Sequence, residues 1–188
     1  RQRDGREAGS AIGVATNIEA SKQELLRDLL KQVSRLFYTT LAVVPADVRD
    51  QVSLGYLFAR AADTIADTDL IDRPRRLDLL SQLKAQFVSD QIVWTQVQEI
   101  QRAVGPVQDN PAERVLLERR EACFRLFLTF SPDDRRRIQR LMTTLTQGME
   151  MDLVAFPGTS AADLTALKTL DDLDRYTYYV AGCVGEFW

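Results

Sequence analysis

The chain has 188 residues, of which 45% are hydrophobic and 27% charged, and its formal net charge is −3. A chain of this size can bury one sizeable core, so a single folded domain is expected. The acidic balance argues against a nucleic-acid partner, because nucleic-acid surfaces are bound by clustered positive charge. The absence of histidine excludes histidine-based catalytic triads and histidine-ligated zinc.

The cysteines and the apolar runs indicate the compartment. Cys123 and Cys183 form no CxxC pattern, which is typical of buried thiols in a reducing compartment. No apolar run reaches the roughly 18–20 residues of a membrane span, and no segment resembles a signal peptide. We therefore expect a cytoplasmic protein. The three arginines at 135–137 are interpreted as a solvated helix face, with a peripheral membrane contact as the alternative.

The first part of the chain predicts a leader and two helices. Residues 1–20 mix glycine, alanine and charges without a period and predict a disordered leader. Ser21 and Glu24 form a capping-box pattern before one helix of about five turns over residues 25–44. A proline suited to a first helical turn then precedes a second helix, which runs through residues 48–67.

Four further helices each follow a side chain that commonly caps helix N-termini. Asp72 precedes the helix 75–87, Asn110 the helix 113–130, Ser131 the helix 135–156, and Thr169 the helix 173–188. Residues 91–104 are ambiguous, because their valine, isoleucine, tryptophan and threonine also favour strands. Hairpin turn signals are missing, so an all-α fold of about six or seven helices is predicted.

The second helix carries two aspartates in an otherwise apolar stretch, YLFARAADTIAD at 56–67. At 100° per residue, Tyr56, Arg60, Asp63 and Asp67 lie within about 60° of one another. Like charges one turn apart repel each other by about 0.2–0.5 kcal/mol on an exposed helix. An ordinary solvated face is one interpretation. Small residues flank this stripe where a solvated face usually carries lysine and glutamate, and they favour a polar cavity inside a bundle.

Two carboxylates that face a cavity require a cation. With no histidine and no paired cysteine nearby, the prediction is Mg²⁺ with oxygen ligands. Mg²⁺ typically binds one or two carboxylates together with waters and substrate phosphates. Arg60, one turn before Asp63, would then bind a phosphate oxygen directly.

Four segments carry further patterns in a fixed order. They are SRLFY (34–38), YLFARAADTIAD (56–67), GMEMDL (148–153) and YTYYVAGCVGEFW (176–188). In order and spacing they resemble the motifs of the squalene and phytoene synthase family of head-to-head prenyl transferases. The resemblance covers residues 21–188, which we interpret as the N-terminal part of a single catalytic domain. The last segment favours squalene synthase within the family, and the chain as a whole most resembles a bacterial squalene synthase.

This resemblance implies an isoprenoid-synthase-type helical bundle around a central cavity that binds Mg²⁺ and two prenyl diphosphates, usually farnesyl diphosphate. It implies head-to-head condensation through presqualene diphosphate, followed by reduction with NADPH to squalene. Phytoene or dehydrosqualene synthesis without NADPH is the first alternative. A non-catalytic helical binding or assembly protein that kept the scaffold is the second.

The resemblance also implies a role for each matching residue. Asp63 and Asp67 would hold Mg²⁺ against a diphosphate, and Tyr176 matches a tyrosine that stabilises a cation or moves a proton near the reacting centre. Diphosphate-binding positions are matched by Ser34, Arg35, Tyr56 and Arg60, and positions lining the prenyl chain by Phe37, Val180 and Val184. From the residues alone, an aromatic core stripe is the alternative for Tyr176.

Two departures from the family pattern follow from the same comparison. Ala66 stands where some members carry glutamate. The second aspartate-rich motif, which in the family follows the segment that ends near Trp188 and holds further Mg²⁺, is missing. The catalytic domain is therefore expected to be truncated on its C-terminal side and inactive by itself. Glu150 and Asp152, in the third segment, are assigned no catalytic role.

Overall fold

The computed structural model describes residues 21–41, 43–158 and 165–188. Within these ranges every regular element is a helix, which confirms the predicted all-α class. The leader predicted for residues 1–20 lies outside the described residues. None of the helices described is both long and apolar enough to cross a membrane.

The helices follow one another with short connections. In chain order they are α1 (Glu24–Leu29, π-helical, continued by Leu30–Val33), α2 (Arg35–Leu41), α3 (Ala46–Asp67), α4 (Arg73–Ala85), α5 (Trp94–Val104), α6 (Pro111–Glu118), α7 (Arg120–Phe127), α8 (Pro132–Ala155), α9 (Leu170–Thr177) and α10 (Cys183–Phe187). A 3₁₀ turn, Gly105–Val107, follows α5, and a π-helical segment, Tyr178–Gly182, joins α9 to α10. The ambiguous stretch at 91–104 is therefore largely a helix.

Polar side chains begin four of these helices as predicted. The capping residues, which accept hydrogen bonds from backbone N–H groups of the first turn, are Asp72, Asn110, Ser131 and Thr169. Such caps contribute about 0.5–2 kcal/mol each. The capping box expected at Ser21 is not formed. Ser21 already lies in a helical turn, and the carboxylate of Glu24 pairs with Arg119 instead.

Two helices that the periodicity predicts as continuous are broken. The stretch 25–44 is interrupted at Ser34, whose backbone is extended (φ −158°, ψ 100°) and whose Oγ accepts a hydrogen bond from the Phe37 N–H at 3.2 Å. The stretch 113–130 is interrupted at Arg119 (φ −88°, ψ 5°). The apolar pattern continues across both breaks, so its period does not reveal them.

The long helix α8 packs against α3, and the two run parallel. Near their first turns, Gln51 Nε2 donates a hydrogen bond to Asp134 at 3.2 Å. Further along, Gly55 lies beside Leu141, at 3.5 Å from where a Cβ would stand. The contacting residues of the two helices therefore advance together along the sequence. The C-terminal ends of α3 and α8 accordingly lie at the same end of the bundle.

The chain from α9 to α10 returns along α8 in the opposite direction. Gly148 makes this contact close, since a Cβ there would lie 2.9 Å from the Tyr179 Cβ, 3.0 Å from the Tyr179 carbonyl carbon and 3.1 Å from Val180 Cγ1. Real Cβ atoms rarely approach neighbouring atoms so closely, so the packing of this segment on α8 depends on glycine.

The core between α3, α4 and α7 is aromatic. Its rings belong to Phe58, Phe87, Phe124 and Phe127, with centroids 4.8 to 6.1 Å apart.

The core also contains a buried arginine. Arg120 is only 1% exposed, and its three guanidinium nitrogens have no hydrogen-bond partner among the described residues. Burial lowers the pKa of Arg120 to about 9. Cys123 and Cys183 are free and buried, as predicted.

Candidate active site

An open cleft lies between the C-terminal end of α3 and the start of α6. Its lining residues are Arg60, Asp63, Thr64, Asp67, Thr68, Asp69, Leu70, Gln108, Asp109 and Glu113. Five carboxylates and one guanidinium therefore line the same space. Such a surplus of negative charge favours a cation and opposes an unaccompanied anion.

The two aspartates of α3 lie in this cleft, as their shared stripe predicts. Asp63 is half-buried and Asp67 exposed. Within the part of the chain that is described, neither carboxylate accepts a hydrogen bond or forms an ion pair. Burial, and then the charge of Asp67, raise the pKa of Asp63 to about 6. Burial also raises the pKa of Asp67, against the opposing charge of Arg60.

This donor set fits Mg²⁺ in the form in which proteins usually bind it. No group of three acidic or thiol side chains that could hold a metal ion is found in the described ranges. Mg²⁺ needs only one or two carboxylates when waters and phosphate oxygens complete its octahedron. Two unpaired, mutually repelling carboxylates supply those ligands, so Asp63 and Asp67 are the residues that would hold the ion.

Arg60 lies beside these aspartates and is paired with a residue that sequence analysis did not assign to the site. Its Nη2 donates to Glu113 Oε1. Glu113 is only 9% exposed, and it also accepts hydrogen bonds from Thr64 Oγ1 at 3.1 Å and from Asn110 Nδ2 at 3.4 Å. In the sequence Glu113 looks like an ordinary first-turn glutamate of α6, and only the fold places it against α3.

Tyr176 does not line the cleft, and its hydroxyl is bound to Asp152. Its hydroxyl donates a hydrogen bond to Asp152 Oδ1 at 2.7 Å, and this bond, with burial second, raises the pKa of Tyr176 to about 12. The charge of Asp152 also raises the pKa of Asp67. The Tyr176 ring is half-buried and packs edge-on against Phe156 at 5.7 Å. Asp152, to which the sequence patterns assign no role, therefore binds the tyrosine and acts on Asp67 through its charge.

The predicted residues of the SRLFY segment, and Tyr56, do not line the cleft. Phe37 stacks on Tyr56, with ring centroids 3.9 Å apart and an interplanar angle of 14°, and it meets Trp188 edge-on at 5.8 Å. Ser34 has its Oγ engaged by the Phe37 N–H. Arg35 is exposed and does not line the cleft. The structure thus joins Phe37 to Tyr56 but does not bring Arg35 to the aspartates.

Val180 and Val184 lie on the segment that packs along α8. Both are half-buried, and neither lines the cleft. Val184 packs on the core formed by the buried residues, while Val180 faces Gly148. Their assignment to a prenyl-chain wall stays a prediction.

Comparison with known proteins agrees with these motifs. The squalene/phytoene synthase family profile matches residues 30–188. The squalene synthase of Eremothecium gossypii is 27% identical over 158 residues, covering 84% of this chain and 33% of that protein. A bifunctional lycopene cyclase/phytoene synthase of Sporisorium reilianum is 28% identical over 191 residues, covering 95% of this chain and 26% of that protein. The chain thus spans a third or less of the length of these two relatives.

A solved ligand complex of TcSQS has a similar fold. It superposes with a TM-score of 0.65 at 24% identity and covers 88% of this chain and 42% of that chain. This likeness confirms the predicted isoprenoid-synthase-type helical bundle. Since the family profile matches most of the sequence, the chain belongs to the squalene/phytoene synthase family.

Proposed function

We propose that the protein condenses two farnesyl diphosphates head to head through presqualene diphosphate, and that this chain supplies the first diphosphate site. The observation that carries the proposal is the cleft in which Asp63 and Asp67 face each other unpaired beside Arg60. A binding protein without catalytic function has no need of two carboxylates that repel each other. A diphosphate accompanied by Mg²⁺ accounts for both the carboxylates and the arginine.

Each cleft residue has a defined part in diphosphate departure. Asp63 and Asp67 would hold Mg²⁺, which when bound neutralises charge on the departing diphosphate. Arg60 adds a positive charge beside them. Its Nη2 is bound to Glu113, and its Nη1 is left to donate to a phosphate oxygen.

The other predicted residues suit the hydrocarbon and the carbocation. Allylic cations are stabilised by aromatic faces and destroyed by water. The Phe37–Tyr56 stack provides aromatic surface, and Val180 and Val184 would line the prenyl chain. Ser34, Arg35 and Tyr56 are proposed to contact a diphosphate on the strength of the motif match. Tyr176, held by Asp152, is proposed to lie near the reacting centre.

The product is proposed to be squalene, formed with NADPH, because the C-terminal segment is most similar to squalene synthases. Phytoene or dehydrosqualene synthesis is the second candidate, favoured by a phytoene synthase relative of nearly equal identity. Products formed from farnesyl diphosphate with and without NADPH distinguish the two. Squalene that appears only with NADPH supports the first, and a product unaffected by NADPH supports the second.

A peripheral membrane contact through the arginines 135–137 has less support. Arg135 pairs with Asp90 at 2.9 Å, and Arg136 pairs with Asp133. Ion pairs between side chains of the same surface are the ordinary pattern of a solvated helix face. These pairs favour the solvated-face interpretation.

The proposed metal site is tested by Asp67→Asn in the full-length protein. Turnover of farnesyl diphosphate should fall by more than ~100-fold, the size of loss expected when one electrostatic stabiliser is removed. Asp47→Asn, at the exposed opposite end of α3, is the matched control and should leave turnover within about twofold of wild type. Wild-type activity in Asp67→Asn would refute the metal assignment.

A further inference from the structure

We propose that Glu113 is a positioning residue that holds the Arg60 guanidinium ready for a diphosphate. The inference rests on the proposed function, because it names the residue that prepares the same site. Glu113 lies on α6, 53 residues from Arg60 in sequence, and outside the four motifs. Its part in the site follows only from the contacts between α3 and α6.

The Glu113 carboxylate is fixed from three directions. Oε1 accepts from Arg60 Nη2 and from Asn110 Nδ2 at 3.4 Å. Oε2 lies 3.1 Å from Thr64 Oγ1, whose single hydrogen is shared with the Arg60 carbonyl oxygen at 2.9 Å. Asn110 is itself fixed, because its Oδ1 caps α6 by accepting from the Ala112 N–H at 3.0 Å. A side chain that is only 12% exposed and held by three partners has little freedom to move.

Arg60, in contrast, is long and retains 36% of its side-chain exposure. An unrestrained arginine loses about 2 kcal/mol of rotamer entropy when it is fixed on a ligand. The bond from Nη2 to Glu113 fixes the guanidinium before any ligand arrives. No contact with the Arg60 Nη1 appears among the hydrogen bonds of the described residues, so the guanidinium keeps a nitrogen for the ligand while its orientation is set.

Two simpler interpretations make different predictions. If Glu113 acted only through its charge, its removal would make the cleft less negative and would tighten the binding of an anion. If the ion pair only fastened α6 to α3, its removal would lower stability without a specific effect on the ligand. If Glu113 positions Arg60, its removal should weaken anion binding. This is the opposite of the tighter binding expected from the loss of its charge.

The affinity of the full-length protein for inorganic pyrophosphate in excess Mg²⁺, measured by isothermal titration calorimetry, separates these cases. Glu113→Ala should bind pyrophosphate about tenfold more weakly than wild type, which corresponds to about 1.4 kcal/mol. Glu113→Gln, which keeps the size and an acceptor oxygen, should bind more weakly in the same direction and tests the inference if the alanine variant does not fold. Glu150→Ala removes a comparable half-buried partner of Lys84 outside the cleft and should bind like wild type.

A double-mutant cycle tests whether Glu113 acts through Arg60. In an Arg60→Ala background, Glu113→Ala should cause no further loss of pyrophosphate affinity, because no guanidinium remains to be positioned. Independent, additive losses would refute the inference, as would tighter or unchanged binding by the Glu113 single variants. A wild-type protein that binds no pyrophosphate would refute the proposed function together with the inference, so the two failures are distinguishable.

Discussion

Replacing Asp63 by asparagine should stabilise the metal-free protein even though it removes a proposed metal ligand. The folded chain raises the pKa of Asp63 from 3.8 to about 6, chiefly by burial and then by the charge of Asp67. Between these two values the folded state binds more protons than the unfolded state. The free energy of unfolding therefore falls as the pH rises through this window, and the ionised carboxylate destabilises the fold above it.

The size of the stabilisation expected for Asp63→Asn follows from the rise in the pKa of Asp63. A rise of about two pKa units corresponds to about 3 kcal/mol of destabilisation once the carboxylate is ionised. Asp63 is only half-buried, and the asparagine amide also requires desolvation, so a gain of about 1–2 kcal/mol is expected. For a domain of this size, that gain raises the melting temperature by about 3–6 °C.

The assay is thermal unfolding in excess chelator, followed by circular dichroism at several pH values. At pH 7.5 Asp63→Asn should melt above wild type, and the difference should shrink as the pH falls through about 6, where wild-type Asp63 becomes protonated. In parallel samples without chelator, Mg²⁺ and pyrophosphate should stabilise wild type and leave the variant unchanged. Asp47→Asn, on the same helix but far from the cleft, controls for the change of net charge and should not raise the melting temperature.

Two outcomes would refute this reasoning. A variant that melts below wild type at pH 7.5 would show that Asp63 has a stabilising partner in the folded protein. A gain that persists unchanged at pH 4 would show that the effect does not arise from the carboxylate charge.

Two further predictions concern packing. Gly148→Ala should lower the free energy of unfolding by about 1–3 kcal/mol in denaturant titrations, since its Cβ would stand 3.0 Å from the Tyr179 carbonyl carbon. Gly185→Ala is the control, because no atom lies within 4 Å of the new Cβ, and it should be neutral or slightly stabilising. Arg120→Met should raise the melting temperature, because it replaces a buried guanidinium that has no described partner by an apolar side chain; a clear loss of stability would instead indicate that a buried anion or water satisfies the arginine.

The sequence predicted those features that depend on local periodicity and on helix-start chemistry. Four capping residues begin helices where expected. Of the predicted stripe, Arg60, Asp63 and Asp67 reach one cleft because a helix repeats every 3.6 residues, whereas Tyr56 stacks on Phe37 instead. These features need no knowledge of the neighbouring helices. The same reasoning explains why the two breaks within apolar patterns escaped prediction, since a break changes the backbone without changing the pattern.

The remaining part of the site depends on contacts between helices far apart in sequence. Glu113 looks like a first-turn glutamate of α6, and Asp152 lies near the end of α8. Glu113 binds Arg60 because α6 packs on α3. The charge of Asp152 raises the pKa of Asp67 because α8 runs parallel to α3, which brings the ends of the two helices together. Sequence periodicity places a residue on a face of its own helix and contains no information about which helix will cover that face.

The bond between Tyr176 and Asp152 determines what the phenol can offer to a ligand. A tyrosine hydroxyl has a single hydrogen, and here that hydrogen is directed to the Asp152 carboxylate. The oxygen therefore presents only lone pairs to any other neighbour. Such an oxygen attracts an electron-deficient carbon and repels a phosphate oxygen. If the proposed prenyl diphosphate binds near Tyr176, its hydrocarbon end would therefore face the tyrosine and its charged end would point away from it.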